Sequence, residues 1–352
     1  MNSVVLAVIA RDEARCIVRC LDSMRVWVDR MLVLDTGSQD ATVELSRAAG
    51  AEVHHHRWCD DFSEARNRAL ELADATWCIM LDADEWLIQG GPVLASLRDV
   101  AADFAGQLCV DSEFDSDDGV GVAPSWLARV APRGARFAGS IHEQLAPGLQ
   151  RRRLDVRVGH DGYRKARQSA KAGRNERLLR RALELNPSDP YWHYQLGKDL
   201  ESTARYVSAA EHYECALTSG SESQPWRHDL VLRVMFCWKR CGQFARAVDL
   251  GHVHTSLRDA SPDYHFVLGD VLLDWAIAEP ARAPQLLPRI EAAWLRCLEL
   301  GEQPDREGAV RGRGSFLAAK NLAAFHTGMG RPDAAAEFRR LEASWRARLT
   351  MD

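Results

Sequence analysis

The chain has 352 residues, of which 46% are hydrophobic and 27% charged, and its formal net charge is -5. That is the make-up of an ordinary globular protein, long enough for two domains at about 150 residues each. The charge balance leaves no electrostatic footprint for nucleic acid, and no apolar stretch approaches the roughly 18 residues needed to span a membrane.

The nine cysteines are scattered among apolar positions, which favours reduced thiols in a cytoplasmic protein over a disulfide framework. Cys16/Cys20 and Cys237/Cys241 have helical spacing but no second pair beside them, so they read as packing residues. The N-terminus runs straight into an apolar segment without a basic leader or cleavage site.

Val4 to Ile9 predicts a first strand and Glu13 to Met24 a helix with Ile17, Leu21 and Met24 on one face. Met31 to Leu34 is a second strand that ends at Asp35, followed by a helix from Ala41 to Ala49. Ala51 to Val53 reads as a short strand, Ser63 to Ala73 as a helix, and Trp77 to Leu81 as a further strand ending at Asp82-Ala83-Asp84-Glu85. This βαβα order predicts an α/β fold with a mostly parallel sheet, whose ligands bind beyond the carboxyl ends of the strands. Ala10-Arg11-Asp12-Glu13, Asp35-Thr36-Gly37-Ser38 and Asp82-Ala83-Asp84 all fall on that rim. Alternating carboxylates at a strand end suit Mg²⁺ or Mn²⁺, which reach proteins through one or two carboxylates and substrate phosphates.

Several residues admit two readings. Asp35 ends a strand and could accept from a nucleobase or ribose, while Gly37, Ser38 and Asp40 are explained by a capped loop. Asp60 and Asp61 suit a helix start, whereas Arg66 in the same helix could reach base or phosphate. Glu85 either bonds a metal ligand or simply begins the next loop. Farther on, Glu143 and His142 in Ser140-Ile141-His142-Glu143 are candidates to deprotonate an acceptor, and His160 is a candidate third metal ligand. Neighbouring residues of a strand point to opposite faces, so His54-His55-His56 reads as structural rather than as a metal tract. Arg151-Arg152-Arg153 reads as a solvated turn.

After about residue 165 helical periodicity takes over. Tyr191 to Gly197, then Ala209-Ala210-Glu211-His212-Tyr213 and Cys215-Ala216-Leu217, follow the tetratricopeptide pattern of paired helices. Weaker copies run from Val231 to Ala247, from Tyr264 to Leu273 and from Asn321 to Phe338, with a Gly-rich, charged insertion from Gly301 to Gly314. Such repeats stack into a solenoid with a concave binding face. The expected domains are thus residues 1–165 and 166–352.

Taken together, Ala10-Arg11-Asp12-Glu13, Asp35-Thr36-Gly37-Ser38-Gln39-Asp40, Trp58 through Asn67, Leu81 through Glu85, Arg136 through Glu143 and His160-Asp161-Gly162-Tyr163 resemble a family 2 glycosyltransferase of the GT-A (Rossmann-like) fold, in the branch that carries tetratricopeptide repeats. The resemblance implies inverting transfer of a sugar from a nucleotide-sugar donor, commonly a UDP-sugar, with Mn²⁺ or Mg²⁺. By that similarity Asp35 and Arg66 would contact the base, Asp82 the ribose and metal region, and Asp84 the metal, with His160 completing the metal or pyrophosphate site. Ala10, Arg11, Glu13 and Ala83 would line the donor pocket, and Glu143, then His142, would serve as base. Two departures stand out: the Gln-x-x-Arg-Trp motif of processive members is absent, and residue 11 is Arg where many relatives have Asn. The acceptor expected from the architecture is a peptide or protein held partly by the repeats. The alternatives are a lipopolysaccharide-core or other surface saccharide, and a non-catalytic repeat scaffold. A homodimer is compatible with this architecture.

Overall fold

In the computed structural model, residues 2–116, 119–146, 148–163, 173–253 and 259–349 are described. The chain divides into two compact units, Met1–Leu178 and Leu179–Asp352. The boundary expected at 165/166 lies outside the described residues.

The first unit contains β1 (Val4–Ala10), α1 (Ile17–Met24), β2 (Arg30–Asp35), α2 (Thr42–Ala48), β3 (Glu52–His55), α3 (Phe62–Ala73), β4 (Trp77–Asp82), β5 (Glu85–Gln89), α4 (Gly91–Ser96), β6 (Phe104–Ser116), β7 (Gly119–Pro132), β8 (Phe137–Ala138), β9 (Gln144–Leu145) and β10 (Gln150–Tyr163). Eight strands form one sheet in the order β3-β2-β1-β4-β7-β6-β10-β5, and β8 and β9 form a separate ribbon. The four strands read from the sequence are parallel, as the βαβα rhythm predicts. Beyond β4 the sheet is mixed rather than mostly parallel: β7 is antiparallel to β4 and β6, β10 runs parallel to β6, and β5 is antiparallel to β10. Hydrophobic periodicity reveals strands but carries no information on their direction.

The alternating residues of β1 account for both layers. Val4, Leu6 and Val8 face Ile17, Leu21 and Met24 of α1, whereas Val5 and Ala7 face Ala65, Ala69 and Ala73 of α3. Both faces of the central strands are covered, hence their unbroken apolar runs. The first helix begins four residues later than its periodicity suggests. The amides of Glu13 and Ala14 instead donate to Thr42 Oγ1 at 2.7 Å and Asp40 Oδ2 at 3.0 Å, which holds that stretch as a loop. Arg151-Arg152-Arg153 is not a turn but the start of β10, where Arg152 and Arg153 lie over the rings of Phe104 and Trp126.

The second unit is helical. Its described helices include the pairs Pro190–Ser202 with Tyr206–Ser219, Arg227–Arg240 with Phe244–Val253, Pro262–Ala278 with Ala283–Leu300, and Phe316–Gly328 with Pro332–Leu349. The Leu-Gly…Tyr signature has a steric cause. A Cβ on Gly197 would come 2.3 Å from the Tyr213 ring, so only glycine lets the first pair pack this closely. Gly269 plays the same part against Trp294 in the third pair. No helix among the described residues is long and apolar enough to cross a membrane.

Candidate active site

The carboxyl ends of β1, β2 and β4 carry the polar loops on which the site is built. The β1 and β2 loops are laced together. Thr36 donates to the Ala10 carbonyl, the Asp12 amide to Ser38 Oγ, and the Gln39 amide to Asp12 Oδ1. Asp12 adopts φ 57, which turns the chain there, and leaves Arg11 exposed on the rim. Glu13 accepts from the Cys16 thiol at 3.1 Å.

Asp35 is buried at the end of β2. Its carboxylate accepts from the Gly37 and Ser38 amides and faces His55 Nδ1 at 3.1 Å. Burial opposes its charge, but the hydrogen bonds from Ser38, His55 and Gly37 outweigh that and hold it below the usual carboxylate range. Both readings of this stretch therefore meet in one residue: Asp35 fixes the turn that Gly37, at φ 106, makes possible, and Oδ1 keeps acceptor capacity.

Asp61 caps the start of α3, and its side chain accepts from the Glu64 amide and Ser63 Oγ. Asn67 then exchanges two hydrogen bonds with the backbone of Phe137, at 2.9 and 2.8 Å, and so pins the β8–β9 ribbon to the helix. The loop between β8 and β9 carries Ile141, His142 at φ 49, and Glu143. The result is that Arg66, one residue before Asn67, donates to Glu143 through Nε and to Asp82 Oδ1 through Nη2 at 2.7 Å. The motifs around residues 58–67 and 136–143 are two halves of one device.

Asp82 also accepts from Arg129 Nη2 at 2.7 Å, and the same nitrogen donates to Glu85 Oε1 at 2.5 Å. Glu85 in turn accepts from the Asp82 amide at 3.0 Å, so it braces the turn at Ala83-Asp84 instead of merely beginning a loop. Burial would raise the Asp82 carboxyl, yet Arg129 and then Arg66 depress it strongly. Glu85 is moved the other way. Burial and the Asp82 charge raise it against the pull of Arg129. Both arginines are held more firmly protonated by these carboxylates despite burial.

Arg129 is a site residue that the periodicity of the sequence does not single out. Gln107 pairs with Ala128 and Gly106 with Val130, so Arg129 is the extra residue of a β-bulge, and β7 stops pairing with β4 at Val130. A bulge re-aims a side chain that regular alternation would send elsewhere.

Asp84 and His160 come together beside this cluster. His160 lies opposite Ser112 on β6 and Glu85 on β5 in the sheet register. Its Nδ1 is 3.2 Å from Ser112 Oγ, and its Nε2 is 3.6 Å from Asp84 Oδ2. Burial disfavours the imidazolium, but Asp84, Glu85 and Asp82 outweigh it and raise the pKa. Asp161, on the opposite face of β10, meets Arg19 of α1 at 2.7 Å, with the Arg19 guanidinium 3.7 Å above the Trp86 ring. The remaining expected metal ligand, Asp82, has each of its oxygens engaged by an arginine, so the structure pairs Asp84 with His160 and Asp82 with Arg66 and Arg129.

Residues 5–117 match the model of the family described as glycosyl transferase family 2. A TPR repeat-containing protein of Synechococcus elongatus is 32% identical over 71% of this chain and 65% of its own length. The SPbeta prophage-derived glycosyltransferase SunS of Bacillus subtilis is 24% identical over 67% of this chain and 58% of its own. The chain thus spans less than two thirds of the length of these curated relatives. Among solved structures, glucosyl-3-phosphoglycerate synthase from Mycobacterium tuberculosis, in complex with Mn²⁺, UDP and glucosyl-3-phosphoglycerate, aligns at TM-score 0.26 and 23% identity over 32% of this chain and 44% of that one. A likeness that slight carries no weight.

Proposed function

From a chain whose residues 5–117 form a glycosyl transferase family 2 domain, followed by tetratricopeptide-like helices, we propose a glycosyltransferase that moves a sugar from a nucleotide sugar to a peptide or protein acceptor. A UDP-sugar is the donor class of first choice, and the helical repeats hold part of the acceptor. The observation that carries the reading is the cluster at the strand ends: Asp82 between buried Arg66 and Arg129, with Glu143 on Arg66 and the Asp84–His160 pair alongside.

A carboxylate and an imidazole make a donor set that suits Mn²⁺, and with more reluctance Mg²⁺. The fit rests on Gly162. A Cβ there would come 2.4 Å from His160 Nε2 and 2.6 Å from Asp84 Oδ2, so the glycine preserves the space beside both ligand atoms. Ser112 at Nδ1 orients the ring with Nε2 toward Asp84, as ligating histidines require. When bound, the cation offsets the charge that grows on the diphosphate leaving group.

The other residues prepare the donor and acceptor. Ala10, Arg11, Glu13, Asp35 and Ala83 form the rim that receives the nucleotide, with Asp35 Oδ1 available to a base N–H. Asp82 anchors Arg66 and Arg129 and faces the ribose. Arg66 also has a buried Nη1 without a partner among the described residues, and so keeps donor capacity beyond its two ion pairs. Glu143 takes the proton from the acceptor nucleophile as that atom attacks the anomeric carbon and the bond to the diphosphate breaks. Its Oε1 accepts from Arg66, which fixes the carboxylate in position. His142 is the second choice for that base. The nine free thiols accord with a reaction in the reducing cytoplasm.

The test is calorimetric titration of UDP-sugars with and without Mn²⁺, coupled to transfer onto candidate peptides. Asp84→Asn is expected to lose cation-dependent donor binding. Unchanged binding and donor hydrolysis in that variant would remove the metal assignment.

A further inference from the structure

The geometry points to a second metal site, separate from the Asp84–His160 pair, in which His56, Cys59 and Glu64 bind a zinc-class cation. One ligand atom from each of the three lies within 4.8 Å of the other two, and they are the one such group of three found among the described residues. His56 Nε2 is 2.7 Å from Glu64 Oε2, and the Cys59 thiol donates to the same oxygen at 3.1 Å. The His tract read as structural from strand alternation thus divides: His55 turns to Asp35, while His56, just beyond the end of β3, turns to Cys59 and Glu64.

The loop that brings these atoms together is built, not incidental. The His56 amide donates to the Asp35 carbonyl at 2.8 Å, which anchors the loop to the sheet. Asp60 adopts φ 62 and accepts from Trp58 Nε1 at 2.9 Å, and the Trp58 and Phe62 rings meet edge to face. Asp61 spends its carboxylate on the first turn of α3, so Glu64 enters the cluster from a capped helix.

One imidazole, one thiolate and one carboxylate form a mixed nitrogen, sulfur and oxygen set. Thiolate selects Zn²⁺ and related borderline-soft cations over Mg²⁺ or Ca²⁺, which take oxygen ligands. Three protein ligands leave a fourth tetrahedral position to solvent, the pattern of an open rather than a closed structural site. Cys59 and Glu64 are exposed, so the cation has access. Glu64 stands two residues before Arg66 on the same helix, so cation binding stiffens the turn that presents Arg66 to Asp82 and Glu143.

The experiment uses the full chain with its thiols reduced and Co²⁺ as the spectroscopic probe. The expected result is a thiolate-to-cobalt charge-transfer band that saturates at about one Co²⁺ per chain and is bleached by Zn²⁺. Cys59→Ser should abolish the band, and His56→Ala or Glu64→Ala should weaken Co²⁺ binding at least ~10-fold. Cys215→Ser, the other exposed thiol, and Asp84→Asn should leave the band unchanged, since the Asp84–His160 pair contains no sulfur. That last control separates this site from the proposed donor site. A wild-type chain without the band, or a band that survives Cys59→Ser, overturns the inference.

Discussion

His160 Nε2 stands 3.6 Å from Asp84 Oδ2, and the missing side chain of Gly162 keeps the space beside both atoms open. Gly162 has no left-handed φ, so alanine is tolerated by the backbone and its effect falls on the two ligand atoms. Gly162→Ala should therefore fold and yet weaken Mn²⁺-dependent donor binding by ~10-fold or more, the order of a 1–3 kcal/mol overpacking cost. Calorimetry with Mn²⁺ and a UDP-sugar, beside a melting curve, checks both halves of the expectation.

Arg129 neutralises two carboxylates with one nitrogen, and Glu85 has 2% of its surface exposed. Arg129→Ala takes from Glu85 its ion-pair partner, which costs about 3–5 kcal/mol when a buried pair is broken. The expectation is a large fall in the denaturation midpoint in guanidinium chloride. Arg129→Ala combined with Glu85→Gln should recover part of it, because the uncompensated charge is gone.

Glu143 and His142 are separable by kinetics. Glu143→Gln keeps a polar oxygen near Arg66 but cannot take a proton, so transfer should fall by roughly 10²–10⁴ while the donor KM changes little. His142→Ala should stay within about tenfold of the wild type. The reverse ranking would move the base to His142.

A pH effect is expected in the helical unit. Burial pushes the Asp270 carboxyl up to about 6 against the opposing charges of Lys239 and Arg313. For a carboxyl raised on folding, the native state holds the proton longer than the unfolded chain. Its stabilising share is therefore complete below the unfolded value near ~3.9 and is lost as pH rises through about 6. Asp270→Asn, which preserves an oxygen for the bond from Asn321, should flatten this part of the stability profile between pH 4 and about 7. Equilibrium unfolding at several pH values shows whether the slope disappears.

Much of this was legible because the physics is local. Val4 to Ala10 and Trp77 to Leu81 are covered on both faces and therefore apolar throughout, and Gly197 marks its partner Tyr213 at a readable spacing. The rim residues Asp35, Asp82 and Asp84 end such strands and stand out for that reason. What stayed hidden depends on contacts distant in sequence. Arg129 is aimed by a bulge, and Asn67 brings Glu143 to Arg66 across 77 positions. Strand direction beyond β4 belongs to the same class, whereas the cluster of His56 with Cys59 and Glu64 is local in sequence but formed by a loop and a helix start that periodicity does not describe.

The cluster around Asp82 has a consequence for the order of events. Asp82, Glu85 and Glu143 bring three carboxylates against the two guanidiniums of Arg66 and Arg129. Within this cluster the positive charge is already spent, with one carboxylate in excess. A nucleotide arriving bare would meet repulsion, whereas one arriving with a divalent counter-ion would not. Donor and cation should then each tighten the hold on the other by the same factor, and neither should bind well alone.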